Sequence, residues 1–329
     1  MEMAKQGWEN DLSDSDEDEE YIRPGSASDS DDDDGLSLQK MAEKLAKAAK
    51  GTRIQYRHPS VRFVLPKVTE GRIAEIDAIL KGIRATGATV QCANNLTEPP
   101  PLKDVLDRMV VDEFEALTPE VNIDCTILLA LVSDISHGNV VEQPWFNRAV
   151  RRQIEIESEE RLMPSILWPA MDGRKLVCTG EAANRMREIV ELIGTDSEKA
   201  RTQLLMGDKE SKSSTDLVDE FQKYSEHTIP KNWQLPIKAI SVDIPTTVQG
   251  LPKVAEVLTH NLSAINQSVF LFGWASSRTT LTSNRTVAKQ VETLIEENRA
   301  DDDDVVGPDV WLCRTSRSLV AKEKDRKGA

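Results

Sequence analysis

The sequence predicts an α/β fold, a three-layer α/β/α arrangement around a mostly parallel sheet, preceded by a small βαβ-containing region and a disordered acidic tail. Two observations predict it. Across residues 121–320, short apolar runs alternate with stretches whose apolar residues recur at helical spacing, the pattern of strands joined by crossover helices. At the head of that region stands Val121–Gly138, VNIDCTILLALVSDISHG. It has an apolar entry, one acid at Asp124, a hydroxyl at Thr126 and then the apolar run Ile127–Val132. An acid where a short strand gives way to a buried helix is how α/β folds present a carboxylate at the carboxyl edge of a sheet. The same spacing suits an Asp that caps the first turn of the helix, and spacing alone leaves both readings open.

In chain order, residues 1–35 hold 14 acids and 2 bases with almost no apolar groups, which predicts a disordered tail. Ser13, Ser15, Ser28 and Ser30 each precede acids, as an acid-directed kinase would favour; a purely solubilising tail explains the composition equally well. Residues 36–50 turn to Ala, Lys and Leu at helical spacing, an amphipathic helix that docks on the body or recruits a protein partner. From 59 to 95 the chain reads as a β-α-β unit: a strand at Val61–Leu65 stopped by Pro66, a helix from Gly71 to Ala85, and a strand at Ala88–Cys92. A proline linker at 98–101 and a helix over 103–110 follow.

Beyond Gly138 a charged helical region interrupted by Pro144, Pro164 and Pro169 leads to a strand at Lys175–Cys178. Thr179 is placed to cap a helix over Glu181–Leu192, and Gly194 to end it. Residues 206–227 are polar and read as a mobile insert. Strands are predicted at Ile237–Val242, Ser268–Trp274, Thr279–Asn284 and Val310–Cys313, with helices near 251–265 and over Thr286–Glu297. The expected organisation is a tail at 1–35, a helix at 36–50, an N-terminal α/β region at 51–118, the main domain at 119–321 and a basic tail at 322–329.

Composition narrows the function classes. The whole chain carries a formal charge of −15, but most of it lies in the tail. The remainder holds 42 acids and 39 bases, so it lacks the overall basic footprint of a dedicated nucleic-acid-binding domain; a local basic patch stays open. Cys92, Cys125, Cys178 and Cys313 form no C-x-x-C pair, which argues against a zinc site. With no signal peptide in view, reduced thiols in a cytoplasmic or nuclear setting are expected. No apolar run reaches the ~18 residues of a membrane span, so no membrane partner is expected.

No phosphate-binding loop, dinucleotide fingerprint or H-E-x-x-H motif occurs. Ser133, Asp134 and His137 hint at a hydrolase triad, but no G-x-S-x-G elbow presents the serine, and the three are read as neighbours on one helix. His137 next to Gly138 suits a helix C-terminus better than acid–base work. Trp168 and Trp233 read as anchors for irregular segments. Arg278, Arg285, Arg314 and Arg317 flank the predicted carboxyl edge of the sheet; they either grip phosphates there or are solvated strand ends.

Four segments carry a family resemblance: NIDCTILLALVSDISHG, LVCTGEAANRMREIVELIGTDSEKARTQLL, QSVFLFGWASSRTTLTSNRTVAKQVE and the run Arg314–Leu319. Over roughly residues 55–320 the chain resembles the eukaryotic domain of unknown function 1308 family, with RFVLPKVTEGRIAEIDAILKGIRATGATVQC similar to its fungal form. The resemblance implies a PIN-like C-terminal domain. PIN domains are ribonucleases whose clustered carboxylates hold Mg²⁺ or Mn²⁺ at the carboxyl edge of the sheet. Carried over by position, it puts the first-strand acid at Asp124, with metal contact there, and the following hydroxyl at Thr126. A Thr-x-Asp motif falls on Thr282-Ser283-Asn284, with Asn in place of the acid. The expected helix acid falls on Arg185, with Glu181 and Glu188 one turn either side. Asp124, Glu181 and Asn284 are thus the implied catalytic set, and Thr126, Thr282, Arg278, Arg285, Arg314 and Arg317 the implied phosphate or RNA contacts. The depleted acids imply a non-catalytic or weakly active module associated with RNA or protein partners. The alternative is a Mg²⁺- or Mn²⁺-dependent RNA phosphodiesterase centred on Asp124.

Overall fold

The computed structural model describes residues 34–97, 100–109, 112–138, 140–208, 212–300 and 302–320. The four tail serines, most of the acidic tail and the 322–329 tail lie outside the described residues. The chain divides into two compact units, Met1–Ala48 with Val61–Leu96 and Ala49–Ser60 with Thr97–Ala329.

The first unit holds α1 (Asp34–Gly51) as far as Ala48, β1 (Arg62–Leu65), α2 (Ala74–Ala85) and β2 (Thr89–Cys92). β1 and β2 pair in parallel, Arg62 opposite Thr89 and Leu65 opposite Cys92, as a β-α-β crossover requires. Leu80 and Ile83 of α2 and Ala42 of α1 pack on Phe63 and Val90 in a small core of their own. Gly87 closes the crossover at φ +92°, a left-handed conformation that glycine adopts without a Cβ clash.

In the second unit α3 (Leu102–Met109) precedes β3 (Glu120–Ile123), α4 (Cys125–Val132) and α5 (Asp134–His137). Next come α6 (Arg148–Glu159), a π-helical turn at Met163–Leu167, α7 (Trp168–Met171), β4 (Lys175–Thr179), α8 (Gly180–Ile193), α9 (Asp196–Met206) and α10 (Ser214–Gln222). The chain continues through β5 (Lys238–Ile240), α11 (Ile244–Gln249), α12 (Ala255–Asn261), α13 (Ala264–Ala275), β6 (Thr280–Thr282), α14 (Arg285–Asn298) and β7 (Val310–Leu312). The five strands form one sheet in the order β5-β4-β3-β6-β7, with every neighbouring pair parallel. An all-parallel sheet must be covered on both faces, and helices flank it. α4 is buried along nearly its whole length, with Ile127, Leu128, Ala130, Leu131 and Val132 at 0% exposure.

Three sequence expectations are corrected. Ser268–Trp274, expected as a buried strand, lies inside α13. A helix buried on several sides is apolar all round, so its run carries no periodicity to separate it from a buried strand. Residues 206–227, expected as a mobile insert, contain α10, which sets Leu217 and Phe221 into the main core. Its start is a capping box between Ser213 and Asp216. Ser133 does not continue a single helix with His137: it sits between α4 and α5 and caps α5 through Ile135 N.

After β7 the chain runs as a strap across the second unit. Arg317 is 1% exposed, and its Nε donates to Glu157 Oε2 at 2.7 Å while Nη2 reaches Glu160 O at 3.0 Å. Ser133 Oγ donates to Ser318 O at 2.7 Å, Ser318 N and Oγ donate to Gln153 Oε1, and Val320 N donates to Glu198 Oε1. Breaking a buried ion pair strands the surviving charge. Arg317→Met is therefore expected to cost about 3–5 kcal/mol in urea unfolding, with Arg317→Met/Glu157→Leu losing clearly less. A double variant no better than the single one would show that the strap depends on other contacts.

Candidate functional site

All five strands point the same way, so their carboxyl ends share one edge, and capping residues line it. Asp124 caps α4, Thr179 caps α8, Asp243 caps α11 and Asn284 caps α14. The first two strands of this sheet in chain order, β3 and β4, are followed outward by β5; β6 and β7 then extend the other side of β3. The order reverses between β3 and β6, and the crevice outside such a reversal is where open α/β sheets bind ligands.

Asp124 stands at that reversal. Its side chain is nearly withdrawn from solvent, at 3% exposure. Oδ1 accepts from Cys125 N at 2.7 Å. Oδ2 accepts from Thr126 Oγ1 at 2.7 Å, Thr282 Oγ1 at 2.8 Å and Thr126 N at 3.4 Å. The hydroxyls are themselves engaged: Thr126 Oγ1 accepts from Ser283 N at 3.0 Å, and Thr282 Oγ1 accepts from Asn284 N at 3.0 Å. Asn284 Oδ1 accepts from Val287 N at 3.2 Å to cap α14. One carboxylate thus ties the start of α4 to the end of β6 and the entry of α14.

Below it Asn122, fully buried, donates from Nδ2 to Val269 O at 3.0 Å and Thr280 Oγ1 at 3.1 Å. These bonds pin β3 to α13 and β6. A Cβ on Gly273 would fall 2.1 Å from Thr280 Oγ1, so glycine is what lets α13 lie this close to β6. Burial and the adjacent Asp124 charge push the Cys125 thiol up to about 12, with Arg185 acting in the opposite sense. All four cysteines are buried and unpaired.

The predicted site residues fall into three groups. Asp124, Thr126, Thr282 and Asn284 are brought together. Glu181 is at the same edge, in the first turn of α8, but is exposed; Arg185 is exposed and pairs with Glu188 at 3.2 Å. Arg285, at the start of α14, and Arg314, after β7 and 3.9 Å from Glu113, are exposed near this edge. Arg278 and Arg317 are not there. Arg278 precedes β6 and pairs with Glu120, the first residue of β3, at 3.1 Å, which places it at the amino edge. It also lies over the Phe272 ring at 5.2 Å. Arg317 is spent on Glu157.

A carboxylate offers about four acceptor sites, two on each oxygen; Asp124 receives four protein donors, three on Oδ2 and one on Oδ1. Among the described residues no three His, Cys, Asp or Glu side chains come together as a metal site. This donor arrangement does not fit Mg²⁺ or Mn²⁺, which take several oxygen ligands.

Sequence reasoning missed a second polar cluster, behind α4. Asp134 Oδ1 accepts from Arg201 Nη1 and Ser197 Oγ, and Oδ2 from Thr195 Oγ1, each at 2.6 Å. Arg201 Nη1 also donates to Val132 O, meeting a carbonyl freed by the α4–α5 break. The signal available was Thr195-x-x-Glu198, a capping box that the structure contains. His137 lies close by, 1% exposed. Nε2 is 2.7 Å from Leu131 O and Nδ1 3.0 Å from Ser225 Oγ, so Nε2 carries the proton of a neutral ring. It is enclosed, and its contacts are structural.

An all-parallel α/β sheet with capped helices along its carboxyl edge defines the class as a layered α/β protein. Within that class, residues 121–230 match the family model described as "Protein of unknown function (DUF1308)". The match runs from β3 through α10. It includes Asp124, Thr126 and Glu181 but ends before Thr282 and Asn284. No curated protein and no solved structure matches the chain. Among the described residues no helix is long and apolar enough to cross a membrane.

Burial first, and then the charge of Arg201, hold His137 down to about 3 from an ordinary 6.5. Between those values the unfolded chain takes up a proton that the folded one refuses. This contribution to stability is complete above about pH 6.5 and falls on acidification, by at most about 1.4 kcal/mol per pH unit. Burial raises Glu157 and Glu198, which oppose the trend, so the comparison is with His137→Gln. From about pH 7 to about pH 5 in urea unfolding, the wild type is expected to lose more stability than the variant. Equal losses would remove His137 as the cause.

Proposed function

We propose that this protein is a PIN-like module that binds RNA or protein partners without hydrolysing them, and that Asp124 is a fastener in it. The observation that carries this reading is a 3% exposed carboxylate that accepts from four backbone and hydroxyl donors of its own fold. Metal-dependent phosphodiester cleavage needs carboxylates that converge on an ion and an open position for water. Asp124 is enclosed, Glu181 is exposed without the convergence such a site needs, and Asn284 spends its carbonyl oxygen on α14. A partner would instead meet exposed surface, including Arg285 and Arg314 beside the edge.

A second reading keeps the phosphodiesterase. It is favoured by one observation: the acid, two hydroxyls and a helix N-terminus meet at the reversal of strand order, where ligand chemistry concentrates in such sheets. In that case Thr126 and Thr282 would have to release Asp124 to admit an ion.

The readings differ in what Asp124 does for stability. A capping carboxylate that is also a buried acceptor stabilises the fold, whereas a catalytic acid held for its chemistry commonly costs stability. Asp124→Ala is expected to lose about 1–3 kcal/mol, since a cap is lost and buried donors go unpaired. Mn²⁺ titration calorimetry should show no stoichiometric site on the wild type, and RNA incubated with Mn²⁺ should stay intact. Stoichiometric Mn²⁺ binding that vanishes in Asp124→Asn, together with cleavage lost in the same variant, would establish the phosphodiesterase instead.

A further inference from the structure

A second concave surface lies beyond the other end of α4 from Asp124. It is a cavity of about 260 Å³ between α5, α6 and residues 226–227. All of its lining residues, from Ile135 to His227, fall inside the segment 121–230 that matches the family model. Its volume is just below the roughly 300 Å³ at which pockets for drug-sized ligands begin, so it suits a smaller molecule.

The lining is divided. Ile135, Val140 and Ile154 form an apolar wall continuous with a satellite core that contains Phe146 and Val150. Arg161 and His227 supply nitrogen donors. Among the described residues no hydrogen bond or ion pair engages the Arg161 guanidinium, and no hydrogen bond engages either nitrogen of the His227 ring. Both residues are nonetheless held in place. His227 N donates to Ser225 Oγ at 3.2 Å, its carbonyl accepts from Gln222 Nε2 at 2.9 Å, and its ring stands edge-on to Trp168 with centroids 6.1 Å apart. Arg161 O accepts from Ser165 N at 3.0 Å, and the next amide, Leu162 N, donates to Glu157 at 3.2 Å.

Burial first, and then the charge of Arg161, hold the His227 imidazole below its ordinary 6.5, with Glu226 acting in the opposite sense. The guanidinium and the ring are therefore close enough to interact. An oxyanion between them would accept charge-assisted hydrogen bonds from Arg161 and offset the opposition between the two. Glu157 and Glu226 line the same cavity. A phosphate dianion would meet their carboxylates with up to twice the charge of a ligand carboxylate, so the single charge is favoured.

We propose that this cavity binds a small aliphatic monocarboxylate, with its carboxylate on Arg161 and His227 and its hydrocarbon part on Ile135, Val140 and Ile154. The site is separate from the carboxyl edge of the sheet and does not depend on what Asp124 does there.

The test uses the full-length protein and isovalerate as the probe, at about pH 7, where a carboxylic acid is ionised. Methyl signals of Val140 and Ile154 and the imidazole signals of His227 are followed by NMR. They are expected to shift saturably with a Kd of about 1 mM, as suits so small a ligand. Isovaleramide, of the same shape without the charge, is expected to bind about tenfold more weakly or worse. Arg161 is exposed, so Arg161→Gln leaves the fold intact, and it is expected to weaken isovalerate by a similar factor. Signals unmoved at about 20 mM isovalerate, well above that Kd, would overturn the proposal. So would equal binding of isovaleramide, undiminished binding in Arg161→Gln, or tighter binding of inorganic phosphate.

Discussion

A carboxylate removed from water must have its charge met from within, and the way Asp124 achieves this organises the second unit. Its oxygens accept from the first turn of α4 and from the hydroxyl that ends β6. Each bond also constrains a chain direction: α4 leaves β3 at the angle its first-turn amides require, and β6 is held in register beside β3. Asn122, two residues earlier, repeats the device beneath the sheet by donating to α13 and β6. β3 is therefore tied to β6 through side chains as well as through the ladder. That matters because this pairing spans a long sequence separation, and closing long loops is entropically costly.

The elements that could be read from sequence are those whose ends carry chemistry. α8 follows from Thr179, which caps it, and Gly194, which ends it. α13 failed for the opposite reason. It packs against sheet and helices together, so its residues from Ser268 to Leu271 are uniformly buried, and the polar face that would reveal a 3.6-residue period is absent. α10 was hidden by the composition around it: a polar approach and a short apolar pair, Leu217 and Phe221, look like a loop until the Ser213–Asp216 capping box is recognised.

The candidate site was legible to a different degree at each residue. Asp124, Thr126 and Thr282 lie where β3 and β6 end, within the runs Val121–Gly138 and Thr279–Asn284 read from the sequence. The arginines needed more than strand positions. Arg278 lies just before β6, and in an all-parallel sheet a residue before a strand belongs to the amino edge; its pairing with Glu120 follows. Arg317 lies beyond β7, on the correct side, but the segment after β7 is drawn back over α6 by Glu157 and Gln153. Nothing local in Arg314–Leu319 signals that fate, because the partners lie about 160 residues away in sequence.

The strand order and the side-chain bonding around Asp124 point in opposite directions. Topology creates a crevice between β3 and β6, and in α/β proteins that crevice usually receives a ligand. Here it receives two threonine hydroxyls and two backbone amides from the protein itself. To convert it into a metal site, an ion would have to replace at least the Thr126 and Thr282 bonds. Hydrogen bonds to a charged acceptor contribute about 1.5–3 kcal/mol each. The ion would also have to accept a site whose other expected acids are an amide committed to a cap and a solvent-exposed Glu. The same polar geometry that makes the sheet reversal resemble a site is what makes it a joint.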